Sequence, residues 1–144
     1  MATTTSPELV TGSPEETEAA GERMGRRLAA GDLLLLSGEL GSGKTTFVRG
    51  LARGIGASGD VMSPTFQLVR VYAGPVPLAH LDLYRLSGGA DLRELGLDEL
   101  LDEGAAVVEW GERLGRLAPR IVFEALDGDR RRLRLEGAPP AWTW

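Results

Sequence analysis

The chain has 144 residues, 42% hydrophobic and 26% charged, which suits one globular domain over 1–144 and leaves little room for a second. A net charge of −5 and a pI of about 4.9 count against tight direct binding to a nucleic-acid backbone, where clustered cations supply most of the affinity. The absence of cysteine excludes disulfides and cysteine-ligated zinc, and no apolar signal core or membrane-length run occurs, so a cytoplasmic protein without a membrane role is expected.

In chain order, Met1 to Pro7 is rich in Thr and Ser and reads as a loose tail, and Glu8 to Thr11 reads as a short strand. Ser13-Pro14-Glu15-Glu16 is a helix start: a Ser N-cap, Pro in the first turn and Glu three residues after the cap. Ala20, Met24 and Leu28 follow at helical spacing, with Gly31 as the expected stop. Leu33 to Ser37 reads as a buried strand. Phe47, Val48, Leu51 and Ile55 mark an amphipathic helix closed by Gly54 and Gly56.

Thr65 to Tyr72 and Val76 to Tyr84 form an expected antiparallel hairpin around Ala73-Gly74-Pro75. Asp91 to Leu101 reads as a helix with Leu92, Leu95 and Leu100 inward. Ala105 to Glu109 reads as a short buried strand ending in a carboxylate, and Ile121 to Leu126 and Arg131 to Leu135 flank the turn signal Asp127-Gly128. Gly137 to Trp144 reads as a second loose tail. The outline is α/β: a P-loop NTPase-like three-layer sandwich whose mixed, mainly parallel sheet carries antiparallel hairpins.

Gly38-Glu39-Leu40-Gly41-Ser42-Gly43-Lys44-Thr45 satisfies the P-loop pattern G-x-x-x-x-G-K-[ST], between a buried strand and an amphipathic helix. ATP carries dense negative charge. Gly41 and Gly43 let backbone N–H groups converge on it, and the new helix aims its positive end there. Lys44 reaches the β- and γ-phosphates, and the Thr45 hydroxyl suits magnesium, a hard cation that prefers oxygen ligands. Lys44 is also the only lysine beside 15 arginines, as expected where a compact ammonium serves and a broad guanidinium does not. A guanine-specificity motif would need a second lysine, which leaves ATP as the expected nucleotide.

Two carboxylates are candidates for the metal and the attacking water. Glu109, at a strand end beside the loop, suits magnesium, with a cap or surface acid as the alternative. Asp82 lies in His80-Leu81-Asp82-Leu83-Tyr84-Arg85, where alternation puts His80, Asp82 and Tyr84 on one face, either solvated or lining a site. Which acid positions the water is open. In Ser63-Pro64-Thr65-Phe66, Thr65 reads either as a turn residue or as a sensor of the γ-phosphate.

The P-loop through Thr46-Phe47, then Ser63-Pro64-Thr65-Phe66, then His80-Leu81-Asp82-Leu83-Tyr84-Arg85-Leu86, then Val108-Glu109-Trp110, in this order and spacing, resemble the bacterial TsaE (YjeE) ATPase family. The resemblance runs from about Leu9 to Leu135. It implies a slow ATPase of tRNA threonylcarbamoyladenosine formation on ANN-decoding tRNAs, acting with the TsaB–TsaD pair to support repeated turnover and touching tRNA only indirectly. By position it implies phosphate binding by Lys44 and the loop, magnesium at Thr45 and Glu109, and a role in hydrolysis for Asp82. It places Thr65 in a switch-like segment, Trp110 near the nucleotide, and the stretch from Ser13 to Thr17 near the adenine. A late basic residue also approaches the nucleotide, with Arg130, Arg131 and Arg132 all competing for that place. The rivals are a small-molecule P-loop kinase and a nucleotide-gated binding module without useful catalysis.

Overall fold

The structure, a computed structural model, describes residues 7–39, 41–58, 69–83, 96–110 and 118–144. Leu40, the switch-like segment with Thr65, residues 84–86 and 91–95 and the first six residues lie outside them. Seven strands form one sheet: β1 (Glu8–Thr11), β2 (Leu33–Ser37), β3 (Val69–Tyr72), β4 (Leu78–Asp82), β5 (Ala105–Glu109), β6 (Arg120–Ala125) and β7 (Arg131–Glu136). Three helices accompany them among the described residues: α1 (Pro14–Gly25), α2 (Lys44–Ile55) and α3 (Leu97–Glu103).

The spatial order is β1-β7-β6-β2-β5-β4-β3. The middle strands β6, β2, β5 and β4 run parallel, as expected for the buried runs Leu33 to Leu36 and Ala105 to Val108. The β3–β4 and β6–β7 hairpins and the β1–β7 pair add antiparallel edges. Alternation sends Leu34, Leu36, Val107, Ile121, Phe123 and Leu133 into one core with α1 and α2, and Leu33, Leu35, Ala79, Leu81 and Val108 into a second core with Leu97 of α3. The result is the expected three layers.

Ser13 caps α1 by accepting from Glu16 N at 3.2 Å, while the Glu16 carboxylate accepts from Gly12 N at 3.2 Å, a reciprocal cap. The helix ends at Gly25 with Arg26 as its cap, earlier than the expected stop at Gly31, whose N–H instead bonds Gly104 O at 2.9 Å. Gly54 does not close α2 either. It lies inside the helix, and Gly56, with φ of +85°, is the cap.

The helices α1 and α2 pack backbone to backbone. A Cβ on Gly21, Gly25, Gly50 or Gly54 would lie 1.8–2.2 Å from a carbonyl oxygen of the facing helix. Across the same seam Arg53 meets Glu18 at 3.4 Å.

The expected loose C-terminal tail is a correction, because residues 137–144 fold back onto the body. Trp144 meets Phe47 edge-on at 6.3 Å, its indole N–H donates to Pro7 O at 3.2 Å, and Trp142 packs on the same core. Pro7, assigned to the other tail, is held as well, accepting from Leu135 N at 2.9 Å. Two aromatic rings hold more apolar surface than a solvated tail leaves in water.

Candidate functional site

The loop after β2 turns sharply enough to need glycine. Gly38, Gly41 and Gly43 have φ of +146°, +77° and +103°. A Cβ on Gly38 would also lie 2.8 Å from Phe123 O. Gly43 caps α2 through its backbone alone, with Phe47 N bonding Gly43 O at 2.9 Å. The first N–H groups of α2 therefore open toward the loop, an arrangement suited to a polyphosphate anion. Glu39 takes part through its carbonyl, which accepts from Ser42 N at 3.1 Å, and Ser42 is buried.

Lys44, the first residue of α2, is only 5% exposed. Its ammonium donates to Gly38 O and lies 4.1 Å from the centroid of the Trp110 ring. An ammonium facing an aromatic ring in a dry pocket is favoured by the ring quadrupole. Trp110 is, among the described residues, the non-glycine with positive φ, at +60°, directly after β5. That bend carries the indole toward the loop. Thr45 is half-buried on the first turn of α2.

The sheet register brings the acids to the same edge. Leu36 of β2 and Asp82 of β4 both pair with Glu109 of β5, so the carboxyl ends of the parallel strands lie beside the loop. Glu109 is 4% exposed, and its Oε2 lies 2.6 Å from His80 Nε2. His80 is completely buried, so the face it shares with Asp82 is not a solvated one at that point. Asp82 itself is half-buried.

On the other side of the loop, Pro14, Thr17, Gly43, Thr46, Asp129 and Arg131 line a half-open cleft. Thr17 is fixed there by a 2.6 Å bond to Thr11 across the β1–α1 turn. Ser13 does not line the cleft, and its hydroxyl serves the helix cap. Of the three late arginines, Arg131 is the one that reaches the loop, donating to Gly41 O at 3.2 Å. Arg130 faces Asp127 at 3.6 Å, and Arg132 faces Glu124 at 3.2 Å. Asp129 had no mark in the sequence beyond the turn signal two residues earlier, and His80 was singled out only as a neighbour of Asp82.

The donor set is sparse. Among the described residues no group of three or more His, Cys, Asp or Glu side chains could hold a metal ion. Thr45 and Glu109 flank the loop mouth without forming a protein cage, and that fits magnesium, which keeps waters and takes substrate phosphates rather than a complete protein shell.

Comparison with known proteins identifies the family and a structural neighbour. Residues 11–134 match the family model described as threonylcarbamoyl adenosine biosynthesis protein TsaE. The tRNA threonylcarbamoyladenosine biosynthesis protein TsaE of Streptomyces coelicolor is 50% identical over 123 residues, covering 82% of this chain and 77% of that one. The Bacillus subtilis protein of the same name is 38% identical over 127 residues, covering 84% and 79%. The crystal structure of Bacillus subtilis YdiB superposes with a TM-score of 0.75 at 33% identity, covering 94% of this chain and 87% of that one.

Proposed function

We infer an ATPase from one premise: the chain belongs to the TsaE family and takes part in tRNA threonylcarbamoyladenosine biosynthesis. Its proposed part is to bind and hydrolyse magnesium–ATP in the cytoplasm, in association with the TsaB–TsaD pair, so that threonylcarbamoyl transfer to ANN-decoding tRNAs can repeat. Contact with tRNA is indirect. The observation that carries this reading is the glycine-built loop at the start of α2, with buried Lys44 at its mouth and Glu109 on the neighbouring strand end.

In this reading the loop amides from Gly38 to Thr46, including those of Glu39, Leu40 and Ser42, hold the phosphates. Lys44 leaves Gly38 O for the β- and γ-phosphates. Thr17, Thr46 and Arg131 line the nucleotide's other end, and Trp110 borders the phosphates through its place over Lys44. Thr45 and Glu109 hold magnesium, which when bound neutralises charge on the phosphoryl oxygens. Asp82 orients the attacking water, and Thr65 senses the γ-phosphate from its switch-like segment. The loop and Lys44 act by position and electrostatics, without a covalent step.

Hydrolysis by the free chain is slow in this account. Arg131 donates to Gly41 O, Gly128 O and Arg130 O and lies in the cleft with Thr17, on the side away from Glu109. An arginine at the γ-phosphate is worth about a thousandfold or more. Phosphate release measured with and without the TsaB–TsaD pair tests the reading. Stimulation by the pair supports it, and full-speed turnover by the chain alone contradicts the partner step.

A further inference from the structure

We propose that His80 is a positioning residue that fixes the Glu109 carboxylate for magnesium–ATP; the proposal rests on the ATPase reading above. Three observations carry it. His80 is 0% exposed, so its ring has no water to satisfy it, and Glu109 is only 4% exposed. Their contact, Nε2 to Oε2 at 2.6 Å, is short. His80 is also the chain's only histidine.

An ionised carboxylate only accepts hydrogen bonds, so Nε2 carries the proton and donates. The ring's Nδ1 is buried without a partner, so Nε2 is the nitrogen through which the ring acts. Hydrogen bonds to a charged acceptor are about twice as strong as neutral ones. Such a bond removes the freedom of the two torsions that swing a glutamate head.

The sheet makes the clamp directional. In the β4–β5 register, His80 pairs with Val107 and Asp82 pairs with Glu109. His80 thus reaches one pleat forward to the acid on the next strand, from the strand that also carries Asp82. One bond ties the two carboxylates to a common frame. Oε2 is taken by His80, which leaves Oε1 for the ion's shell. Partners of this kind orient a ligand without touching the metal, and removing one costs about 10–100-fold in metal affinity or activity.

The test measures the affinity of a fluorescent ATP analogue with magnesium and with EDTA, for the full chain and for His80→Asn and His80→Gln. Glutamine places its amide nitrogen near the position of Nε2, and asparagine places its own near Nδ1. The magnesium-dependent gain should fall about tenfold or more in His80→Asn and be largely kept in His80→Gln. A packing role would affect the two alike.

Imidazole NMR of the unaltered chain gives a second readout, with one ring to assign. A protonated Nε2 whose resonance moves when magnesium is added to the nucleotide complex supports the clamp. An Nε2 without a proton, or a ring indifferent to magnesium, overturns it. So does a full magnesium gain in His80→Asn. If the unaltered chain binds no nucleotide under either condition, the ATPase reading falls and the clamp falls with it.

Discussion

Lys44 is the single lysine of the chain, buried at the head of α2 between Gly38 O and the Trp110 ring. In the absence of phosphate, a carbonyl and an indole satisfy the ammonium, and both are weaker partners than a phosphate oxygen. Guanidinium is broader and planar, and a site that leaves the side chain 5% exposed has no room for it. Lys44→Arg should therefore weaken ATP binding nearly as much as Lys44→Ala, at least tenfold, as read by isothermal calorimetry. An arginine variant with ordinary affinity would show that charge alone suffices. Asp82→Ala should bind ATP and hydrolyse it about a hundredfold or more slowly, as phosphate release would show. Normal turnover would make Asp82 structural.

The loop and Glu109 were legible in the sequence because both are local patterns: a spacing in the first case, and an apolar run ending in an acid in the second. The role of His80 was not. Alternation placed it with Asp82 on one face, but alternation does not say what covers that face. The Tyr72 ring of β3 lies 6.4 Å from the imidazole, and the partner comes from a strand 29 residues away. That Arg131 rather than Arg130 or Arg132 reaches the loop likewise follows from the register of β7, which sets Arg131 opposite Thr11 beside the start of α1.

At the scale of elements, the seam between α1 and α2 is the feature that sequence periodicity misread. Gly31 and Gly54 were read as helix stops because glycine is a poor helix former. Gly54 instead belongs, with Gly21, Gly25 and Gly50, to a set spaced by four on each helix. That spacing puts each pair on one face and lets the backbones touch. The contact fixes where α2 begins relative to α1, and so where the loop opens relative to Thr17. In an exposed helix, glycine to alanine would gain up to about 1 kcal/mol. Here Gly50→Ala would put a methyl group 1.8 Å from Glu18 O, and overpacking should win, at a cost of about 1–3 kcal/mol. Urea denaturation would show a lowered midpoint. A raised midpoint would mean that the helices separate without loss.

At the scale of the whole molecule, the parallel centre of the sheet gathers the candidate site's strand ends on one edge, and Trp144 meets Pro7. The edge was legible because buried apolar runs mark parallel strands. The docking of 137–144 beside Pro7 was not, since Gly137 to Trp144 has no periodicity and the contacts that anchor its tryptophans are distant in sequence. Trp144 rests on Phe47, one turn beyond the loop, and its indole donates to Pro7 O. Trp144→Ala should lower the melting temperature by about 2–4 °C for each kcal/mol lost at a domain of roughly this size. An unchanged melting temperature in calorimetry would return the tail to the loose state read from the sequence.

The family places the chain in tRNA threonylcarbamoyladenosine biosynthesis, and we propose that it works there as a nucleotide-driven component. That addition depends on the loop at the head of α2 gripping a triphosphate. The most direct measurement is an equilibrium titration of a fluorescent ATP analogue with magnesium, run on the unaltered chain and on Lys44→Ala. Saturable binding by the first and none by the second is the predicted result, and equal binding by both, or binding by neither, would contradict it.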